Sequence, residues 1–451
     1  MNIEPSKILK MDAGIGIGGH SKNIEEMTSS KLDLFAPMII EKGVLKGFRV
    51  IYHPQSYFGT EGPFEIIIQP DPDKFIDIAT MLLHARVKIY KQNANGEWVD
   101  LVGTDKKVAL ANNGYQSLWS NVLIKINDTE IGESSTNSYA YGAQLQTVMG
   151  AKESCKDTIL KWRQFIKEDF PGTEPENEES FKFRNQMARG GWMEMNIPVH
   201  NDLMTATKYL PPNTKLHVTL KRSTNNFCLH QLDDQVYKVE IKDLHLSLVK
   251  YTVHDDILNH YKKTMKTVTP TVPYTKNVFK SYPVTQSNYD LSNHNLFFGN
   301  RLPERVYIMV VEQDTFNGNK KKSPYNFEMN FLKEACLMVN DVCEPSKPYE
   351  IQSNDTMDLY YQFLENTGTS PFEMDSVWLS YKEYLKGHFI LAFDRSPTKD
   401  NGLYTHKMEG GHMGIRMHTS SPLTKNVQVL VYASYSSKLE FIEDKVVPEI
   451  P

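Results

Sequence analysis

Leu123-Ile124-Lys125-Ile126-Asn127-Asp128 is a short apolar strand running into an Asn-Asp turn, and Cys336-Leu337-Met338-Val339-Asn340-Asp341 reads the same way in the second half of the chain. Asn and Asp end strands well because they tolerate the left-handed backbone of a tight turn. After each copy the order of patterns is shared: a helical insert, an apolar strand, an alternating strand and a long terminal strand. A strand programme run twice predicts a duplicated all-β protein.

Working outward, the first half is rich in strands. Phe64, Ile66 and Ile68 alternate with Glu65, Ile67 and Gln69, and a second run leads from Ile76-Asp77-Ile78 to Val87-Lys88-Ile89-Tyr90. Such alternation suits a half-buried strand, whose successive side chains point to opposite faces. Asn93 to Gly96 reads as a turn. Residues 138–168 break the pattern, with Ile159, Trp162, Phe165 and Ile166 at helical spacing, and the acidic stretch Gly172 to Ser180 reads as a loop. Strands resume at Met193 to Val199, Leu216 to Leu220 and Tyr237 to Leu248.

A short amphipathic helix with Ile257, Leu258, Tyr261 and Met265, followed by the Pro/Thr-rich stretch Thr267 to Tyr274, marks a junction. Beyond it the order repeats: Val306 to Val311, then Phe327, Met329 and Phe331 alternating with Glu328 and Asn330, then Cys336 to Val339. Asp355 to Leu364 reads as a helix, Phe389 to Phe393 as a buried strand, Met413 to Met417 as an alternating strand and Val427 to Val431 as the start of a closing one. Short strands with Gly, Pro and Asn turns, in two runs of about 200 residues, predict two tandem eight-stranded jelly rolls with short helical inserts. The expected boundaries are an N-terminal arm over 1–30, a first jelly roll over 31–250 with its insert at about 138–168, and a second over 251–451 with its insert at about 353–366.

Bulk properties narrow the function. At 451 residues the chain is too long for one ordinary core. Hydrophobic residues make up 40% and charged residues 23%, the balance of a folded protein rather than a disordered one. A net charge of −5 without a basic block disfavours sequence-specific nucleic-acid binding by the folded body. Cys155, Cys228, Cys336 and Cys343 form no C-x-x-C, so neither a zinc site nor a disulfide scaffold is expected and a reduced intracellular setting fits. The first ten residues lack the apolar core of a signal peptide, and no apolar run reaches the length of a transmembrane segment. The sequons at Asn127 and Asn354 are read as coincidences.

The constellations that could carry chemistry fall short. Gly14, Gly16 and Gly18 lack the preceding strand and following helix of a phosphate loop and read as a flexible arm. His406, His412 and His418, with Glu409, would need to converge to hold a metal; they read as exposed histidines of a loop-like region. Asp71-Pro72-Asp73 and Asp233-Asp234 read as turns rather than facing catalytic carboxylates. Lys320-Lys321-Lys322 reads as a solvated loop tip, the other reading being contact with an acidic partner. The expected catalytic, cofactor-binding and metal-binding residues are therefore none, and the chain is not expected to be an enzyme.

Several segments in order are informative together: Lys31-Leu32-Asp33-Leu34-Phe35, Gly62-Pro63-Phe64-Glu65-Ile66, Phe75-Ile76-Asp77-Ile78 and Asn112-Asn113-Gly114-Tyr115-Gln116-Ser117-Leu118-Trp119. Pro198-Val199-His200-Asn201-Asp202, Leu216 to Ser223, Leu302-Pro303-Glu304-Arg305-Val306, Phe316-Asn317-Gly318, Pro324-Tyr325-Asn326-Phe327, Pro345-Ser346-Lys347-Pro348 and Val429-Leu430-Val431-Tyr432-Ala433 follow. This ordered set resembles the double jelly-roll major capsid proteins (hexon-type) of Polinton/Maverick elements and adintovirus-like DNA viruses, over roughly residues 31–445. The resemblance implies a structural protein that forms a homotrimer, a capsomer of six-fold outline in an icosahedral capsid. It implies edge strands and helical inserts covered by assembly, with neighbouring capsomers, penton and other minor capsid proteins as partners, and a place in the virion after assembly inside the host cell. It also implies processing of relatives at glycine-rich sites, which Ile17-Gly18-Gly19-His20 matches loosely. The competing reading is a carbohydrate-binding β-sandwich of lectin or adhesin type, for which a signal peptide and calcium loops are expected and neither is evident. A β-sandwich glycoside hydrolase would need facing carboxylates, and none is identified.

Overall fold

A computed structural model describes residues 43–55, 61–132, 135–150, 152–168, 171, 178–328, 332–351, 356–367, 379–397, 409–442 and 445–449. The expected N-terminal arm, the segment Lys31 to Phe35, His406 and the alternating residues Met329 and Phe331 lie outside the described residues.

In the first half the strands are β1 (Val44–Tyr52), β2 (Phe64–Ile68), β3 (Lys74–Gln92), β4 (Trp98–Asp100), β5 (Val108–Leu110), β6 (Trp119–Ile126), β7 (Thr129–Ile131), β8 (Met193–Pro198), β9 (Leu216–Arg222), β10 (Leu229–Gln231) and β11 (Tyr237–Val253). In the second half they are β12 (Thr271–Val284), β13 (Asn293–Gly299), β14 (Arg305–Glu312), β15 (Leu332–Val339), β16 (Val342–Glu350), β17 (Leu391–Asp394), β18 (Gly411–Thr419), β19 (Val427–Ile442) and β20 (Lys445–Pro448).

The two halves repeat one topology. In the first, β1, β11 and β3 pair in that order with β8 on the far edge of β3, and the facing sheet runs β2-β9-β6-β7. In the second, the sheets run β12-β19-β14-β17 and β13-β18-β15-β16. Each is an eight-stranded jelly roll of two antiparallel four-stranded sheets. The short strands β4, β5 and β10 add to the first roll, and β20 lines the end of β19 in the second. Helices lie between the seventh and eighth described strands of the first half (Ser138–Gly150 and Glu179–Arg189) and between β16 and β17 of the second (Thr356–Asn366 and Tyr381–Leu385).

Alternation builds the cores. Phe64, Ile66 and Ile68 of β2 are fully buried while Glu65 and Ile67 are half-buried, and Met413, Ile415 and Met417 of β18 do the same in the second roll. Edge strands carry proline, which cannot extend a ladder on its own N–H side: Pro273 and Pro283 in β12, Pro345 and Pro348 in β16.

Four readings of the sequence change. The helical stripe Ile159, Trp162, Phe165 and Ile166 is not a buried face: residues 156–160 form a π-helical turn, Ile159 and Trp162 are 48% and 62% exposed, and only Phe165 enters the core. The ordered helix of that insert is Ser138–Gly150, with Tyr139 to Leu145 buried. The Pro/Thr-rich junction is half strand, because β12 begins at Thr271 and Val272 and Tyr274 are buried. The acidic loop ends in the Glu179–Arg189 helix, whose buried face mixes Phe181 and Ala188 with Ser180, Arg184 and Asn185, so it shows no apolar stripe. The cysteines are not all unpaired: Cys336 and Cys343 form a disulfide across the β15/β16 hairpin, with Cα atoms 6.1 Å apart. The hairpin, not a spacing motif, brings them together.

Candidate assembly surfaces and the seam between the rolls

The repeated Asn-Asp turns occupy equivalent corners. Asn127 and Asp128 (φ 46° and 68°) join β6 to β7; Asn340 and Asp341 (φ 48° and 66°) join β15 to β16. In each roll the asparagine latches the turn to the neighbour of its first strand: to Lys215, which leads into β9, and to His412 of β18. The Asn127 amide N–H donates to the Lys215 carbonyl (3.0 Å), and its side-chain oxygen accepts from the Lys215 N–H (2.8 Å). The Asn340 N–H donates to the His412 carbonyl (3.0 Å), and its side-chain oxygen accepts from the His412 N–H (3.1 Å). The aspartate then meets the side chain of the same residue: Asp128 with Lys215 at 3.2 Å, Asp341 with His412 at 3.1 Å. In the second roll this closeness requires Gly411, where a Cβ would lie 1.9 Å from the Asn340 side-chain oxygen. With its amide engaged this way, Asn127 is spent on the fold.

The rolls are fused by a shared interior. In the Ser138–Gly150 helix, Tyr139 and Ala143 join the first roll's core while Ala140, Tyr141, Leu145 and Val148 join the second's. Tyr141 sits among Phe227, Phe279, Phe316 and Tyr325, with ring centroids 5.8–6.2 Å away. In return Val272, Tyr274, Leu439, Phe441 and Val446 of the second half pack in the first roll's core. Polar bonds cross the same seam: Ser117 with Tyr325 at 2.6 Å, Gln146 donating to the Tyr432 hydroxyl at 2.8 Å, and Asn277 donating to Asp202 at 2.9 Å. The Ser138–Gly150 helix of the insert is thus covered within its own chain.

A denser charged cluster ties the first insert to the second roll. Glu168 pairs with fully buried Arg184 (2.9 Å), Lys167 with Glu383 (3.0 Å), and the ring of His388 donates through Nε2 to the Glu168 carbonyl (2.7 Å). Glu383 closes a capping box with Ser380 and so holds its helix and the ion pair at once. Its carboxyl lies below the usual range although burial opposes this, because the Ser380 N–H and hydroxyl and the Lys167 ammonium favour its charged form.

The candidate chemistry does not assemble. His412 pairs with Asp341, while His418 lies by Asp290 (3.5 Å) and Glu334 (3.9 Å), both histidines on strand β18 rather than in a loop. Among the described residues no cluster of three or more His, Cys, Asp or Glu is placed to hold a metal ion. Asp71 binds Lys74 (2.6 Å), Asp73 binds Lys262 (2.9 Å), Asp233 accepts from the Tyr237 hydroxyl (3.0 Å), and Asp234 binds Lys321 (2.7 Å). The lysine tip stays solvated but pairs within its own chain: exposed Lys321 takes Asp234, and Lys322 takes Glu312 and Asp314. What the surface does offer is apolar side chains on edge strands: Leu45 (60% exposed) and Ile51 on β1, Phe298 (88%) on β13 and Val342 (63%) on β16. No helix among the described residues is long and apolar enough to cross a membrane.

No known protein-family profile matches the chain. A Caenorhabditis elegans protein described as uncharacterized protein F54H12.2 is 20% identical over 413 residues, covering 88% of this chain and 96% of its own. Among solved structures, a chain of the Sputnik virophage is similar with a TM-score of 0.63 at 11% identity, over 95% of this chain and 93% of its own. The mavirus major capsid protein is similar with a TM-score of 0.55 at 10% identity, over 100% and 97%. The faustovirus major capsid protein is similar with a TM-score of 0.55 at 9% identity, over 90% and 92%. These neighbours span both rolls, so the chain has the double jelly-roll fold from end to end of its described residues.

Proposed function

We propose that this chain is a major capsid protein: the hexon-type subunit that forms trimeric pseudo-hexagonal capsomers in the icosahedral shell of a double-stranded DNA virus or virus-like element of the Polinton/Maverick and adintovirus kind. The observation that carries it is one chain holding two complete eight-stranded rolls around a shared seam, matched across both rolls, over 90–100% of its length, by capsid proteins. Two equivalent blocks per chain give a homotrimer six similar flanks, which suits a six-neighbour position in a closed shell. Apolar residues on the edge strands supply contacts for the chain's own copies, for neighbouring capsomers and for penton and other minor capsid proteins. The work is done by surfaces, without a catalytic residue, metal or cofactor, and its place is the virion after assembly inside the host cell. We take the division between rolls to run between Val253 and Thr271, near the expected 250/251 boundary, with 1–30 as an arm.

Light scattering of the expressed full chain is expected to give three times the 51.8 kDa chain mass, and negative-stain images hexagonal outlines or shells. A stable monomer that binds glycans on an array would replace this reading with a carbohydrate-binding sandwich.

A further inference from the structure

We propose that the seam between the two rolls is a proton-operated joint, in which His230 and His388 loosen the first insert from the second roll when the medium turns acid. Both rings are buried, 4% and 3% exposed, and both lie where the halves meet. His388 follows the Tyr381–Leu385 helix of the second roll and donates through Nε2 to the Glu168 carbonyl of the first insert. That bond fixes the neutral tautomer, leaving Nδ1 as a buried acceptor with no partner among the described residues. A proton placed there makes a buried N–H with nothing to donate to. His230 lies on β10, edge-on to Phe181, and its neighbour Gln231 donates to the Lys320 carbonyl of the second half at 2.7 Å. The Nε2 of His230 likewise has no partner among the described residues.

The charges around the two rings are already balanced. Glu168 is satisfied by Arg184 and Ser180, and Glu383 by Lys167 and Ser380. Beside His230 a cavity of about 210 Å³, lined also by Glu312, Lys321, Lys322, Glu328 and Lys425, gives protons a route from solvent. Two of those lysines are bound to Glu312. Glu328 accepts from the Asn326 amide, and burial together with the Glu312 charge raises its pKa, so it favours its neutral form as the pH falls rather than balancing an imidazolium. Burial lowers the pKa of His230 to about 4, reinforced by Arg184 and only partly offset by Glu168 and by a hydrogen bond with the Lys321 backbone. Burial also lowers that of His388 despite Glu168 and Glu383. The unfolded rings take up protons near pH 6.5 and the folded ones resist, so the seam's stability is whole above about pH 6.5 and declines as pH falls below it.

The test uses the full chain, wild type against the His230→Asn, His388→Gln double variant, whose amides keep the ring-nitrogen positions without titrating. Melting temperature and amide exchange are followed from pH 7.5 to 5.0, with exchange corrected for its intrinsic pH dependence. In the wild type, exchange of residues 229–231 and 381–394 is expected to speed several-fold at pH 5.0 while β2 stays protected, and the variant is expected to lose this effect. His200, whose pKa burial and Arg163 lower to about 4, is common to both chains and cancels in the comparison. The same pH response in both chains overturns the proposal. If the double variant does not fold at pH 7.5, the wild-type exchange map and the single His388→Gln variant decide alone, and acceleration spread evenly over both rolls overturns it. The measurement needs no shell, so its failure is distinguishable from failure of the capsid reading.

Discussion

Asn127 and Asn340 each do three things with one side chain: they adopt left-handed backbone, accept a main-chain hydrogen bond and set an aspartate against the next strand's residue. Alanine at either position loses the side-chain acceptor, about 1 kcal/mol, and strains the left-handed backbone, about 1 kcal/mol more. Asn127→Ala and Asn340→Ala are each expected to cost about 2 kcal/mol in urea unfolding, and glycine at the same place about 1 kcal/mol. Equal losses for alanine and glycine would mean the backbone conformation contributes nothing. This device was legible in the sequence because all of its parts but one are local. The partner, Lys215 or His412, was not, since nothing in the spacing says which strand a turn meets. The seam histidines were unreadable for the same reason: His388 and Glu168 stand 220 residues apart.

Elements were legible where burial is one-sided and invisible where it is not. β2 and β18 announce themselves by alternation, because one face meets apolar neighbours. The Glu179–Arg189 helix hides because its inner face carries Arg184 and Asn185, which reach the Leu110, Asp105 and Val108 carbonyls. The 159–166 stripe misleads in the opposite sense: its spacing is helical, but the backbone breaks at Thr158 and Ile159 and Trp162 stay in solvent. β20 is the element whose role is least visible in sequence, four residues paired to β19 of the second roll with Val446 buried in the first roll's core. Thr129 of β7 donates its hydroxyl to the Val446 carbonyl at 2.9 Å, so β20 straps the second roll to the first. Deleting residues 443–451 removes buried Val446, that bond and the β19/β20 ladder, and uncovers part of Phe441 beside it. A loss of about 3 kcal/mol is expected in denaturant unfolding. A truncated chain with an unchanged midpoint would show that the strap bears no load.

At the scale of the molecule, duplication supplies two bodies, and the proposed shell role would need them to move as one. In the proposed trimer, rolls on a flexible tether would present their flanks at variable angles, and a lattice could not close on those. The chain instead splits the Ser138–Gly150 helix between both cores and sends β12, β19 and β20 back into the first roll. Opening the seam therefore strips Tyr141 of its aromatic neighbours and uncovers Tyr274, Leu439 and Phe441 at the same moment, costs too large for either roll to bear separately. The two rolls are expected to unfold in a single transition near neutral pH, despite a length at which separate domains are common. In a chain with Trp98, Trp162, Trp192 and Trp378 replaced by phenylalanine, Trp119, buried in the first roll's core, reports on that roll by fluorescence, while far-UV circular dichroism reports on both. Coincident midpoints in the two signals are the expected outcome, and a second circular-dichroism transition after the fluorescence change is complete would show rolls that melt independently. Below about pH 6 the seam histidines act against this coupling, and the two curves are expected to separate there first.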